Sequence, residues 1–115
     1  MAADNILTLT DDNFEAEVLR SPLPTLVDFW AVWCAPCRQI APAVEALAKE
    51  LAGQVRVGKM DIDHNHHTPV RFDVRSIPTL LLFSGGKVVG QLVGAVPKAK
   101  IEQFIKDHLA KVAKA

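Results

Sequence analysis

The stretch from Thr25 to Val32 constrains this chain more than any other. It is apolar on both alternating faces except at Asp28, and it runs straight into Trp33-Cys34-Ala35-Pro36-Cys37. A strand buried on both faces belongs in the middle of a sheet with helices packed on either side. From Ala35 to Ala52 the pattern becomes helical: Ile40, Val44, Leu47, Ala48 and Leu51 share one stripe, with Arg38, Glu45 and Lys49 away from it. Gly53 stops that helix, Pro36 is harmless in its first turn, and Pro42 lies inside it and is expected to kink it. Both cysteines and both tryptophans of the chain lie at this strand–helix junction, within Trp30–Cys37. Two thiols three positions apart can close a small ring or stay open as a dithiol. Passing between those states transfers two electrons.

The rest of the chain supplies a frame for the junction. Ile6 to Leu9 is a short extended piece, and Thr10-Asp11-Asp12-Asn13 offers caps for a helix bearing Phe14, Val18 and Leu19. Ser21-Pro22-Leu23-Pro24 ends it. Val55 to Ile62 reads as a strand with Lys59 embedded in it. A polar connection begins at Asp63-His64-Asn65, and a short helix follows through about Phe72. Thr79 to Phe83 and Lys87 to Val93 are strands joined by Ser84-Gly85-Gly86, a hairpin signal. Pro97 opens a last helix whose Ile101, Phe104, Ile105 and Leu109 share a face. The order β-α-β-α-β-α-β-β-α predicts an α/β fold: a mixed sheet with helices on both faces. With no repeat, low-complexity tract or linker, residues 1–115 are expected to form one domain.

Composition narrows the function classes. Thirteen basic residues balance thirteen acidic ones among 115, so nothing favours nucleic acid or an anionic membrane as a partner. No apolar run approaches the roughly 18 residues of a membrane span. Met1-Ala2-Ala3-Asp4-Asn5 lacks the charged and apolar regions of a secretion signal. Two cysteines so close together are no disulfide framework and suit a reducing compartment, so a cytoplasmic protein is expected.

A C-x-x-C pair is also half of a structural zinc site. Four-coordinate zinc needs a second pair of ligands, and His64, His66 and His67 do not have the usual spacing, so no metal is expected. Cys34 stands at or before the first helical turn, where unpaired N–H groups and the helix dipole favour a thiolate. Lowering its pKa from about 8.5 to about 7 raises the thiolate fraction at neutral pH about sixteenfold. Lower intrinsic nucleophilicity gives back a factor of about five, leaving a net gain of about threefold. Positioning and a second thiol must supply the rest. Cys37, one turn further in, is expected to be more buried and to act second, expelling the substrate by attack on Cys34. It then needs a base in a site shielded from water. Asp28 is the candidate, because burial should raise its pKa toward neutrality; an inward-facing charge that protects a sheet edge is the alternative. Lys59 is the plausible partner of Asp28, or an ordinary snorkelling lysine.

These residues carry a family resemblance. Val27-Asp28-Phe29-Trp30-Ala31, the Trp33–Cys37 centre, Pro42, Lys59 before Asp61, Arg75-Ser76-Ile77-Pro78-Thr79-Leu80, Gly85-Gly86 and Val93-Gly94 together resemble a bacterial thioredoxin, in order from about Ile6 to Leu109. The resemblance implies a thioredoxin fold, a central five-stranded mixed sheet flanked by four helices. It implies a protein-disulfide reductase that works through Cys34 and Cys37 without a cofactor and is recharged by an NADPH-dependent thioredoxin reductase. It further implies a cis Ile77–Pro78 peptide facing the dithiol. An apolar substrate platform is implied at Trp33, Ile77, Pro78, Val93, Gly94 and Ala95, with monomer as the default state. For Trp30, packing is the expected role.

Ala35 is the departure, since most of the family has glycine there. With Pro36 it sets how easily the dithiol closes, so the redox potential should differ from the usual one. Arg38, where lysine is common, keeps a positive charge beside the thiol. Two rival readings remain: an oxidase or isomerase of the same fold, disfavoured by Pro36, and a redox-independent binding module that uses the apolar platform.

Overall fold

The computed structural model describes residues 5–114, so the reading of Met1 to Asp4 lies outside the described residues. Five strands form one sheet: β1 (Ile6–Leu9), β2 (Thr25–Trp30), β3 (Arg56–Asp61), β4 (Thr79–Ser84) and β5 (Lys87–Val93). Their spatial order is β1-β3-β2-β4-β5, with β1, β3 and β2 parallel and β4 and β5 antiparallel. β2 is therefore central, as its two-sided apolar pattern demands. Four helices flank the sheet among the described residues: a single π-type turn at Glu15–Leu19, then α1 (Ala35–Glu50), α2 (His67–Arg71) and α3 (Lys98–Lys114). Pro42 sits inside α1 without ending it.

Alternation along β2 and β4 divides the core in two. Leu26, Leu80 and Leu82 face α1 and α3 and pack with Ile40, Val44, Leu47, Ile101 and Ile105. Val27, Phe29, Leu81 and Phe83 face the other way, onto Phe14, Val18 and Phe72. Phe14, Phe72 and Phe83 meet at centroid distances of 5.1 to 5.6 Å, tilted or edge-on as aromatic quadrupoles prefer. Gly85 and Gly86, at φ 60° and 80°, make the tight turn from β4 to β5. Several element ends differ from expectation by one or two residues: β3 runs Arg56–Asp61 rather than Val55 to Ile62, and β4 reaches Ser84 rather than Phe83. β2 stops at Trp30 rather than Val32, because the chain turns at Ala31, whose carbonyl accepts from Cys34 N–H at 3.1 Å. α1 stops at Glu50 rather than Ala52, ahead of Gly53 at φ 89°.

Candidate active site

The turn after β2 delivers the cysteines to the start of α1. Cys34 is the last extended residue (φ −88°, ψ 103°), and its sulfur accepts the backbone N–H of Cys37 at 3.2 Å. Sulfur thus fills the place that a serine or aspartate oxygen takes at other helix starts, satisfying one of the free N–H groups there. A thiolate accepts this bond better than a thiol and lies at the positive end of the helix dipole. Pro36, in the first turn, has no N–H to leave unpaired. Arg38 donates to the Val32 carbonyl at 2.6 Å, which holds its charge beside this turn.

Cys34 and Cys37 are joined as a disulfide. The expected contrast between an exposed Cys34 and a buried Cys37 is absent, since their exposures are 4% and 3%. Closed into the ring, both sulfurs pack with Ala31, Trp30, Ile62 and Ile77. What separates them is place. Cys34 lies outside the helix, whereas Cys37 heads the buried stripe that continues through Ile40, Val44 and Leu47.

That stripe packs on the face of β2 that carries Leu26 and, by alternation, Asp28 and Trp30. Asp28 is wholly buried, and neither carboxylate oxygen has a hydrogen-bond partner. Burial pushes its pKa up to about 6, against the pull of the Lys59 ammonium. In a central strand it protects no sheet edge, so that alternative falls. Lys59 lies directly opposite Asp28 in the register of β2 and β3, with its ammonium 4.8 Å from the Trp30 ring centroid. Trp30 itself is half-buried, as packing requires, but its indole N–H has no acceptor among the described residues.

The residues expected to form the platform converge around the disulfide. Trp33 is 65% exposed, and its indole N–H donates to Asp63 at 2.9 Å, which fixes the ring over the surface. The Ile77–Pro78 peptide is cis. Ile77 packs on the disulfide cluster, whereas Pro78 is buried and contributes little surface. Gly94, at φ 96°, donates to the Pro78 carbonyl at 2.9 Å and ties the end of β5 to this loop. Val93 and Ala95 are exposed beside it. Sequence reasoning does not reach Ile62 or Asp63, because neither belongs to a motif; the unmet donor of an exposed tryptophan was the only available signal. His64 and His66 are exposed and bond within their own turn, to Asp61 and to the Asp63 carbonyl, each at 2.9 Å. Among the described residues no group of three or more histidine, cysteine or acidic side chains is placed to hold a metal ion.

The comparisons with known proteins agree with this geometry. The family model for thioredoxin matches residues 5–107. The chain belongs to the thioredoxin family. It is 50% identical to a thioredoxin of Haemophilus influenzae over 104 residues, covering 90% of this chain and 97% of that one. A thioredoxin of Acidithiobacillus ferridurans is 50% identical over 107 residues, 93% of this chain and 99% of the relative. One from Streptomyces clavuligerus is 55% identical over 93 residues, 81% of this chain and 86% of the relative. The thioredoxin chemistry is thiol–disulfide exchange through a cysteine pair, with no cofactor. This chain is a thiol–disulfide oxidoreductase of that kind, acting on protein disulfides, with thioredoxin reductase as the family's usual reductant.

Proposed function

We propose a division of labour between Cys34 and Cys37 in the reduction of protein disulfides. The Cys34 thiolate attacks one sulfur of the substrate disulfide, forming a mixed disulfide and releasing the first substrate thiolate. Cys37, its proton passed to Asp28, then attacks the Cys34 sulfur. The mixed disulfide breaks, the second substrate thiolate leaves, and the Cys34–Cys37 bond has taken the place of the substrate's. Two electrons have moved to the substrate. Thioredoxin reductase, drawing on NADPH, returns them to the dithiol.

The observation that carries this reading is the placement of Cys34 as the cap of α1, its sulfur on the N–H of Cys37. The same contact stabilises the attacking thiolate and keeps the second thiol one turn away. Around it, Trp33, Ile77, Val93, Gly94 and Ala95 offer an apolar bed, with Pro78 shaping the loop beneath. Among the described residues neither the N–H nor the carbonyl of Ile77 has a partner, so an extended substrate segment can pair with that backbone. Lys59 acts on Asp28 through its charge, and Ala35 and Pro36 tune how readily the ring closes. Residues 1–115 serve as one domain, and the chain works as a monomer. Cytoplasmic residence fits a chain whose only cysteines form one catalytic pair.

Insulin reduction driven by NADPH and a bacterial thioredoxin reductase tests the proposal. Turnover is expected with the native chain, none with Cys34→Ser, and a trapped mixed disulfide with Cys37→Ser. Trapping through Cys37 in the Cys34→Ser variant instead would reverse the assignment.

A further inference from the structure

A cleft of 510 Å³ opens where β1 and β3 end against α1, and none of its lining residues belongs to the expected platform. Ligands of α/β proteins settle outside the carboxyl ends of parallel strands, and this volume lies within the range of small-molecule sites, roughly 300–1,000 Å³. Lys59 and Trp30 line it. In register, Lys59 stands between Thr8 of β1 and Asp28 of β2. Among the described residues Lys59 forms no salt bridge. The buried indole N–H of Trp30 likewise has no acceptor. The indole nitrogen is closed to solvent, so the donor open to the cleft is the Lys59 ammonium, beside the Trp30 ring and the apolar side chains of Leu9 and Ala41.

The remaining charges limit what can enter. Glu45 and Asp61 also line the cleft, and Asp61 is already engaged by the His64 ring at 2.9 Å. Two carboxylates repel a phosphate ester or a dicarboxylate more strongly than a single negative charge that can settle on Lys59. We propose that this cleft binds a small monocarboxylate with a compact apolar body, its carboxylate on Lys59 and its body against the Trp30 indole.

Occupancy has a consequence for the dithiol. A carboxylate on Lys59 offsets the cation that favours ionised Asp28, so it favours the protonated form of Asp28; by reciprocity, protonated Asp28 favours the bound acid. Glu45, Asp61 and His64 are the other titratable groups facing the cleft. This coupling rests on Asp28 as the base for Cys37, whereas the binding itself does not.

Phenylacetate and its neutral isostere phenylacetamide are suitable probes, titrated into the nitrogen-15-labelled oxidised protein. A ligand of this size should show a dissociation constant on the order of 1 mM. The Trp30 indole N–H resonance is expected to move while that of Trp33 stays, with phenylacetate binding at least tenfold more tightly than the amide. Lys59→Met should weaken phenylacetate at least tenfold. Thr8→Trp, which fills the cleft from an exposed position, should abolish the Trp30 response without disturbing the core. The site is overturned if acid and amide bind alike, if Trp33 and Ile77 respond instead, or if both variants bind like the native chain. Phenylacetate should also slow insulin turnover near neutral pH. Binding with unchanged turnover would leave the site standing and overturn its coupling to Asp28, and the resonance shift reads the site whether or not the chain reduces insulin.

Discussion

Asp28 and Ala35 are the two residues whose chemistry most sets this site apart. A carboxyl with a pKa of about 6 is ionised often enough near pH 7 to accept a proton and is basic enough to hold it. Asp28→Ala removes that acceptor while leaving the platform and the Cys34 cap intact. Its expected signature is a resolution step slowed at least about tenfold, the low end of general-base contributions or below, with substrate affinity unchanged. Single-turnover kinetics of mixed-disulfide decay would show it, and decay at the native rate would remove Asp28 from the mechanism. Ala35 is exposed in the first turn of α1, where alanine differs from glycine in helical preference. That preference is worth up to about 1 kcal/mol. If it acts in only one redox state, Ala35→Gly moves the two-electron potential by up to about 20 mV. Equilibration with a glutathione buffer measures this, and identical potentials would show that the alanine is silent.

Among the elements, α2 depends most on distant support. At five residues it is too short to hold itself. Asp11, from the loop after β1, accepts the N–H groups of His67 and Thr68 and the Thr68 hydroxyl, at 3.2, 2.9 and 2.6 Å. Burial pulls the Asp11 pKa upward, but these hydrogen bonds outweigh it and hold the carboxyl below its ordinary value. Its stabilisation is therefore present above the ordinary carboxylate range and is lost as pH falls through the lowered folded value. Asp11→Ala should cost about 1 kcal/mol, as other lost helix caps do. Urea unfolding measures the loss, and a cost that stays unchanged as the pH is lowered through the folded titration of Asp11 would point to another cause. None of this was legible in the sequence, which offered Thr10–Asn13 as caps for the following helix. Asn13 does bond with Thr10, but Asp11 reaches across to residues 67 and 68. Local pattern sees a capping residue and not its target. The same limit explains β2: apolar residues continue to Val32, yet pairing stops at Trp30 because Ala31 begins the turn that presents Trp33.

At the scale of the molecule, periodicity made the five strands and both long helices readable, because each buries a face against the sheet. Motif resemblance supplied what periodicity lacked, the cis bond at Ile77–Pro78. Neither revealed that the closed ring hides Cys34 nearly as well as Cys37, which depends on side chains meeting across Ile62 and Ile77. The buried charge at the centre of the sheet reaches furthest, since it links stability to pH for the whole fold. The Asp28 carboxyl titrates near 6 when folded and near 3.8 when unfolded. The folded state therefore binds the proton more tightly, and between those values the unfolded state carries fewer protons. Stability must fall as pH rises through that window and stay lowered above it. At 1.36 kcal/mol per unit, the contribution lost by pH 7 is about 3 kcal/mol, a sizeable part of the total stability of an ordinary domain. Asp28→Ala should then be more stable than the native chain at pH 7 by up to that amount, with the advantage shrinking toward zero near pH 4. Denaturant unfolding of both oxidised proteins across this range tests the sign directly. A native chain that gains stability between pH 4 and pH 6 relative to the variant would mean that Lys59 outweighs burial, and Asp28 would then be a structural anion rather than a proton acceptor.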